Sequence, residues 1–259
     1  MEKNKVLIVV RISLGLVCWF LIYKLYGAFV DPMLAGVLPE TVRMILASMV
    51  VPYTLGIGAF YLVIKGIPSG SFQSGNDGSA LNPGPATIAK YFVIQTGLSF
   101  PVMFILNAIL TVAGVKLHSM TAEDLLGHVW FYIVLLLIFN PVFEELLFRK
   151  LILYRLSALG EKGAIIVSAV LFSLPHIYSQ GIPQMFFTFA VGLVWAYVTV
   201  KTGKLWPAIV LHALSNLYCA YLPILITMIN PALSILFVAV TLFAMVPLTI
   251  VFMVKKRSI

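Results

Sequence analysis

Charged residues are scarce in this sequence. Only 10% of its 259 residues are charged, whereas 61% are hydrophobic, and the mean hydropathy is +1.06. A water-soluble domain carries about 25% charged residues, so this chain lacks the polar surface that such a domain needs. The same arithmetic excludes a disordered chain, a coiled coil and a nucleic-acid-binding domain, in spite of a net charge of +8. The composition predicts a membrane protein that occupies residues 1–259 as a single membrane domain.

Cysteine is also rare, and several catalytic signatures are missing. Cys18 and Cys219 both lie in apolar stretches and provide neither a disulfide framework nor a metal-ligand spacing, so we expect buried, reduced thiols. The chain has no HExxH zinc-protease motif, no GxSG nucleophile motif and no GxxxxGK[ST] phosphate loop. We expect Asp31, Asp77 and Asp124 to lie in loops, which leaves no carboxylate pair for an intramembrane aspartyl protease.

Long apolar runs make up most of the remaining sequence. A membrane-spanning helix needs about 20 mostly apolar residues, and the first run is too long for a signal peptide. The predicted fold is an all-α polytopic membrane helical bundle of about eight transmembrane helices. These helices are expected near residues 6–26, 42–64, 87–113, 128–155, 163–178, 184–200, 205–229 and 232–254.

Basic residues gather in alternate loops. Positively charged loops of a membrane protein face the cytoplasm, so this bias predicts that both termini are cytoplasmic. An even number of spans agrees with that orientation. The basic set of loops holds Lys3, Lys5, Lys65, Lys90, Arg149, Lys150, Arg155, Lys162, Lys201, Lys204, Lys255, Lys256 and Arg257, whereas the opposite set holds Lys116 with Asp31, Glu40, Glu123 and Asp124.

The fourth predicted span contains charges, which are costly inside a membrane and usually functional. Its sequence is FYIVLLLIFNPVFEELLFRKLILYRL. Glu145 and Arg149 are four residues apart and can pair on one helix face, whereas Glu144 faces a direction about 100° away. A carboxylate paired to arginine stays ionised, which suits a structural role. A carboxylate in an apolar interior binds a proton more readily, which suits a general base. The alternative is an amphipathic helix end with an ordinary surface ion pair.

Two later spans each carry a histidine. In the fifth span, His176 lies four residues after Phe172 on the same helix face, and we expect Pro175 to bend or end the helix there. In the seventh span, His212 and Asn216 are four residues apart on one face. The alternatives are an interfacial histidine and a hydrogen bond between helices.

The depths of these side chains agree. With a rise of 1.5 Å per residue, Glu144 lies about 16 Å, His176 about 20 Å, His212 about 10 Å and Asn216 about 16 Å from the cytoplasmic ends of their spans. We therefore expect them to converge on one polar chamber. Two carboxylates, an arginine, two histidines and an asparagine in one chamber are the components of an active site.

Three motifs carry a family resemblance. Glu144-Glu145-x-x-x-Arg149, Phe172-x-x-x-His176 and His212-x-x-x-Asn216 occur in this order, about 27 and 36 residues apart. Together they resemble the CAAX protease and bacteriocin-processing family, CPBP or Abi, of intramembrane glutamate-type endopeptidases related to the type II CAAX prenyl endopeptidases. The resemblance covers a catalytic core segment, residues 128–222. One departure is Lys150, at a position where family members often have glycine.

The resemblance implies a role for each residue of the chamber. Glu144 would be the general base that activates a water molecule, and His176 would hold that water from the other side. His212 and Asn216 would stabilise the developing oxyanion, because neutral donors act strongly on such a charge where water is excluded.

The resemblance also implies a role for Glu145 and Arg149 and a possible zinc site. Glu145 and Arg149 would pair and keep the chamber in register. The family also carries a metalloprotease label, and Glu144, His176 and His212 could bind zinc and leave one open position. We expect no obligatory cofactor and favour a metal-free water activated by glutamate, with zinc as the alternative.

The resemblance implies an intramembrane endopeptidase of a bacterial plasma membrane. Its partners would be the lipid bilayer and a membrane-associated peptide or lipidated protein, such as a prenylated tail, a leader peptide, a bacteriocin or a signalling-peptide precursor, and no nucleic acid. One alternative is a non-catalytic immunity or regulatory partner protein. Another is a transporter with Glu144 and Glu145 as a proton relay, which the lack of visible internal repeats disfavours. The sequence does not determine the oligomeric state.

Overall fold

Helices make up the protein. A computed structural model describes residues 2–72, 80–115 and 121–254. Within these ranges the chain forms no strand, and seven helical stretches are long and apolar enough to cross a membrane. Apolar segments adopt helices in a bilayer because a helix satisfies its own backbone hydrogen bonds. The prediction of an all-α polytopic membrane protein is confirmed.

We number the helices of the described residues in chain order and include wider π-type turns in the helix that contains them. The bounds are α1 Asn4–Leu34, α2 Glu40–Ile64, α3 Pro85–Val112, α4 Ala122–Gly127, α5 129–159, α6 Gly160–Gln180, α7 Ile182–Thr202, α8 Trp206–Ile229 and α9 Pro231–Val254.

The described residues have seven candidate spans where eight were predicted. The difference lies in Val129–Tyr178, a run of 50 residues that contains both predicted spans 128–155 and 163–178. Such a run would be about 75 Å long as one helix, far more than the hydrocarbon core of about 30 Å. The backbone leaves the helical path at Gly160, whose φ of +77° and ψ of 167° suit glycine. The run therefore consists of two helices, α5 and α6.

The predicted loop positions of two aspartates were wrong. Asp31 lies in the last part of α1 and accepts hydrogen bonds of 3.0 Å and 2.6 Å from the guanidinium of Arg43 in α2. Asp124 lies in α4. Both are close to helix ends, where hydropathy alone places boundaries poorly. Asp77 lies outside the described residues.

Contacts divide the chain into two compact units. The first comprises Met1–Ser71 and His128–Ala164, and the second comprises Phe72–Gly127 and Ile165–Ile259. Each unit holds one cysteine, and both thiols are free but half-buried rather than buried. The single membrane domain predicted for residues 1–259 stays a prediction.

Glycines bring α1 and α2 together in the first unit. A Cβ atom on Gly15 would lie 2.8 Å from the ring of Phe60, and one on Gly56 would lie 2.7 Å from the ring of Trp19. The indole Nε1 of Trp19 donates a hydrogen bond of 2.9 Å to the carbonyl of Pro52. Small residues of this kind let apolar helices approach closely in a membrane.

Helix α3 is central in the second unit, where it contacts α7, α8 and α9. At Gly97, an added Cβ atom would lie 2.7 Å from the carbonyl oxygen of Met245 in α9. The hydroxyl of Thr249 donates a hydrogen bond of 2.9 Å to the carbonyl of Val93. The close contact with α9 keeps α3 in a fixed position, and α3 carries a residue of the candidate site.

Candidate active site

Helix α5 carries the first motif at a change in its winding. Residues Asn140–Glu145 are α-helical, and Leu146–Ile152 winds in wider π-helical turns. Turns of this kind occur frequently at functional sites. The two glutamates therefore end the α-helical stretch, and Arg149 lies in the wider turns.

Glu145 and Arg149 form a buried ion pair. The Nε atom of Arg149 lies 3.1 Å from an Oε atom of Glu145, and both side chains are fully buried. This burial excludes the ordinary surface pair of the alternative interpretation. Removing one partner of such a pair would leave an uncompensated buried charge, so each holds the other in place. Lys150, the departure from the family pattern, is exposed.

Glu144 has different surroundings from its neighbour. It is half-buried, its carboxylate accepts a hydrogen bond from the hydroxyl of Tyr53 in α2, and its charge interacts with that of Arg149. The ring of Tyr53 packs against Phe139 and Phe143, with centroid distances of 5.1 Å and 5.4 Å. These ring contacts limit the movement of the tyrosine and hence of its hydroxyl group.

In the second unit, His176 lies inside α6 rather than at its end. The helix continues through Pro175 to Gln180, so it does not end there, and the other expectation, a bend at Pro175, stays a prediction. Neighbouring groups can satisfy the backbone that a proline frees in a membrane helix. The Nδ1 atom of His176 lies 3.1 Å from the carbonyl oxygen of Phe172. Because a carbonyl oxygen only accepts, Nδ1 carries the proton, and Nε2 of the neutral ring is the acceptor.

Aromatic rings bring the two motif histidines together in the second unit. Phe172 is 1% exposed, and its ring centroid lies 5.2 Å from His176, 5.5 Å from Trp195 and 6.1 Å from His212. Trp195 of α7 stacks on the imidazole of His212 at 4.2 Å, with 20° between the ring planes. The histidines are near enough for their charges to interact. Phe172 and Trp195 therefore set the orientation of both imidazoles.

Gln95 of α3 links three helices beside His212. It is 1% exposed, its side-chain oxygen accepts a hydrogen bond of 2.6 Å from the indole of Trp195, and its amide donates one of 3.1 Å to the carbonyl of Leu211. Both ends of the amide are satisfied, as a buried polar group requires. One side chain thus connects α3 to α7 and α8.

Gln95 and Tyr53 belong to none of the three sequence motifs. Gln95 did leave a signal, because an amide in the middle of an apolar span is costly unless it has partners. Tyr53 left none, since tyrosine is common in membrane helices close to the membrane surface.

The predicted site residues fall into two sets. Asn216 is half-buried and ends the α-helical part of α8, one turn after His212. The convergence of the predicted site residues on one chamber stays a prediction. The first unit holds Glu144, Glu145 and Arg149, and the second holds His176, His212 and Asn216.

The zinc alternative requires several donor side chains close together. Among residues 2–72, 80–115 and 121–254, no three or more His, Cys, Asp or Glu side chains form a group that could hold a metal ion. The zinc ligands suggested by the sequence, Glu144, His176 and His212, come from both units. Zinc binding therefore stays an untested alternative.

Comparison with known proteins gives one family. Residues 126–218 match the family model described as "Type II CAAX prenyl endopeptidase Rce1-like". The matched range contains every predicted site residue, and it confirms the resemblance drawn from the three motifs. It implies that this multi-pass membrane protein is an intramembrane protease. Tyr53 and Gln95 lie outside the matched range. No curated protein and no solved structure matches the chain.

Proposed function

We propose that the protein is an endopeptidase that hydrolyses a peptide bond in a membrane-associated peptide or lipidated protein, with a water molecule activated by Glu144. The different surroundings of two adjacent carboxylates carry this proposal. Glu145 is fully buried against Arg149, whereas Glu144 is half-buried and bonded to Tyr53. Two carboxylates in contrasting environments take different roles in many hydrolases.

The proposed reaction transfers one proton from water to the leaving group. Glu144 takes the proton while the water oxygen attacks the carbonyl carbon of the peptide bond, and the carbonyl oxygen becomes an oxyanion. Glu144 then gives the proton to the amide nitrogen, and the C–N bond breaks to leave a carboxylic acid and an amine. His212 and Asn216 donate hydrogen bonds to the oxyanion, which stabilises the charge most where water is excluded.

His176 holds the attacking water in this proposal. The hydrogen bond of its Nδ1 atom to Phe172 leaves Nε2 as an acceptor for one proton of the water. Glu144 accepts the other proton. With both protons bound, a lone pair of the water oxygen can point at the carbonyl carbon.

Two further residues act by positioning. Tyr53 holds the carboxylate of Glu144 through its hydroxyl. Gln95 holds Trp195, and Trp195 stacks on His212, so the amide orients the imidazole indirectly. Neither Tyr53 nor Gln95 touches the substrate in this mechanism.

The proposal has no step through a metal, and a zinc ion held by Glu144, His176 and His212 is the alternative. We place the protein in a bacterial plasma membrane with both termini in the cytoplasm. The substrate class follows from the matched family and comprises prenylated or otherwise membrane-bound tails, with leader peptides and bacteriocin precursors as further candidates.

The test compares peptides from host membranes that carry the wild type, Glu144→Gln or Glu123→Gln at matched protein levels. Loss of a general base lowers the rate by about 10²–10⁴-fold, so mass spectrometry should find a precursor that accumulates only with Glu144→Gln. Glu123 is exposed in α4 and serves as the matched control. A chelator added to purified protein and this precursor should leave cleavage unchanged.

Two outcomes would contradict the proposal. Normal processing by Glu144→Gln would exclude this residue as the base. If no peptide differs between the wild-type host and a host without the protein, while a host phenotype depends on the protein, the non-catalytic partner becomes the better interpretation.

A further inference from the structure

The second unit contains a cavity of about 360 Å³ that no proposed site residue lines. Its size falls in the range of small-molecule sites, about 300–1,000 Å³. Three of the residues that line it are polar, Lys90, Tyr91 and Tyr197. The other walls are mainly apolar and include Ile94, Leu193, Val194, Phe252 and Met253.

The cavity lies near helix ends. Lys90 is five residues after the start of α3, or about 8 Å along the helix axis. Tyr197 is five residues before the end of α7, and Phe252 is two residues before the end of α9. Tyrosine and lysine at helix ends are typical of the membrane surface, where lipid headgroups lie. The neighbouring loops belong to the basic side of the protein, predicted to be cytoplasmic.

Lys90 brings a positive charge to this cavity. Its ammonium nitrogen lies 6.0 Å from the ring centroid of Tyr91 and 5.8 Å from that of Phe252. Among the described residues, no carboxylate forms an ion pair with it. An ammonium group between aromatic rings, without a carboxylate, attracts an anionic ligand.

Two tyrosines supply hydroxyl groups beside this charge. The ring centroids of Tyr91 and Tyr197 lie 5.8 Å apart, and their side chains are joined by a hydrogen bond. A phenolic hydroxyl can donate a hydrogen bond to an anionic ligand. Tyr91 is 5% exposed, so its ring also forms part of the apolar wall.

We propose that an anionic phospholipid binds in this cavity. Its phosphate accepts hydrogen bonds from Lys90 and from one tyrosine hydroxyl, and the first part of an acyl chain lies along Ile94 and Leu193. The charge and the apolar walls together favour this occupant. A soluble phosphate ester would leave the walls wet, and a zwitterionic lipid would bring a second cation close to Lys90. Basic pockets between helices on the cytoplasmic side are suited to anionic headgroups.

The test uses the full-length protein in a mild detergent. Thermal unfolding is followed while phosphatidylglycerol, phosphatidylcholine or glycerol phosphate is added at equal concentrations. A ligand that binds the folded protein raises the unfolding temperature. We expect this rise with phosphatidylglycerol, little with phosphatidylcholine and little with glycerol phosphate.

Variants assign the effect to the cavity. Lys90→Gln should weaken the apparent affinity for phosphatidylglycerol by about tenfold, because one charge-assisted hydrogen bond is lost. Lys90→Arg keeps the charge and should restore binding. Lys204→Gln removes an exposed lysine that does not line the cavity and should bind like the wild type. Should Lys90→Gln fail to fold, Tyr197→Phe is the second variant, and a weaker affinity is again expected.

Three results would overturn the proposal. Equal stabilisation by phosphatidylcholine and phosphatidylglycerol would show that the charge is irrelevant. Wild-type affinity in a folded Lys90→Gln, or in Tyr197→Phe where the lysine variant does not fold, would exclude the cavity as the site. An equally strong response to glycerol phosphate would assign the cavity to a soluble phosphate ester. None of these results depends on the proposed protease activity.

Discussion

At the residue scale, adjacent positions in the chain have different partners. Glu145 is fully buried and forms an ion pair with Arg149, one helical turn away, whereas Glu144 accepts a hydrogen bond from Tyr53 of α2. A helix rotates by about 100° per residue, so neighbouring side chains meet different environments. The spacing to Arg149 predicted the first pairing, but nothing within α5 could predict the second.

Gln95 offers a prediction at this scale. The change Gln95→Leu removes the acceptor for the indole of Trp195, so the indole and the stacked His212 lose a fixed orientation. A displacement of about 1 Å can cost 10²-fold in rate, so we expect kcat to fall by about that factor while KM changes little. Peptide cleavage kinetics on the purified protein would measure both constants.

Ser99→Ala is the control for this change. Ser99 is also buried in α3, and its hydroxyl donates a hydrogen bond of 2.8 Å to the carbonyl of Gln95 within the same helix. We expect nearly unchanged kinetics. If both variants lower kcat equally, or if Gln95→Leu acts only on KM, Gln95 does not position the imidazole.

At the element scale, helix packing depends on glycine, which has no side chain. Gly97 lets α9 approach α3 until the carbonyl of Met245 would be 2.7 Å from an added Cβ. A backbone atom cannot move aside as the end of a flexible side chain can. The position of α3, and therefore that of Gln95, depends on this contact.

Gly97→Ala is predicted to destabilise the protein. Overpacking costs about 1–3 kcal/mol, which should lower the temperature of thermal unfolding in detergent by several degrees. Gly58→Ala is the matched control, since a Cβ there would have no neighbour within 4 Å. We expect this control to equal or slightly exceed wild-type stability, as a helical glycine-to-alanine change does. Equal unfolding temperatures for the two variants would show that α9 can move away from an added Cβ at position 97 without loss of stability.

At the scale of the whole molecule, the distribution of lysine and arginine predicts orientation. Basic residues in one set of loops keep those loops in the cytoplasm. If α5 and α6 within Val129–Tyr178 each cross the membrane, the number of spans is even, as this orientation needs. Both termini should therefore lie on the same side.

Reporter fusions would test this orientation. We expect a fluorescent protein to fold and emit light at either terminus of the full chain, and alkaline phosphatase to be inactive there, because both termini are cytoplasmic. A phosphatase inserted on the opposite side, into the loop between α1 and α2 that Asp31 and Glu40 flank, should be active. Opposite signals at the two termini would mean an odd number of spans.

The sequence by itself determined the class of fold and the candidate residues. A chain with 10% charged residues must bury its apolar surface in lipid, and the charged or polar groups inside its spans are costly enough to indicate a function. The spacing of Glu145 and Arg149 also predicted their pairing, because residues four apart share a helix face.

Only the tertiary structure decided which distant residues hold the motif side chains. Gln95 contacts Trp195 and Leu211, which are 100 and 116 positions away, and Tyr53 reaches Glu144 from another helix. Hydrophobic periodicity describes one helix at a time and contains no information on which faces of separate helices meet. The contacts between helices depend on close approach at glycines and on the pairing of buried polar groups. Both form only when the helices pack.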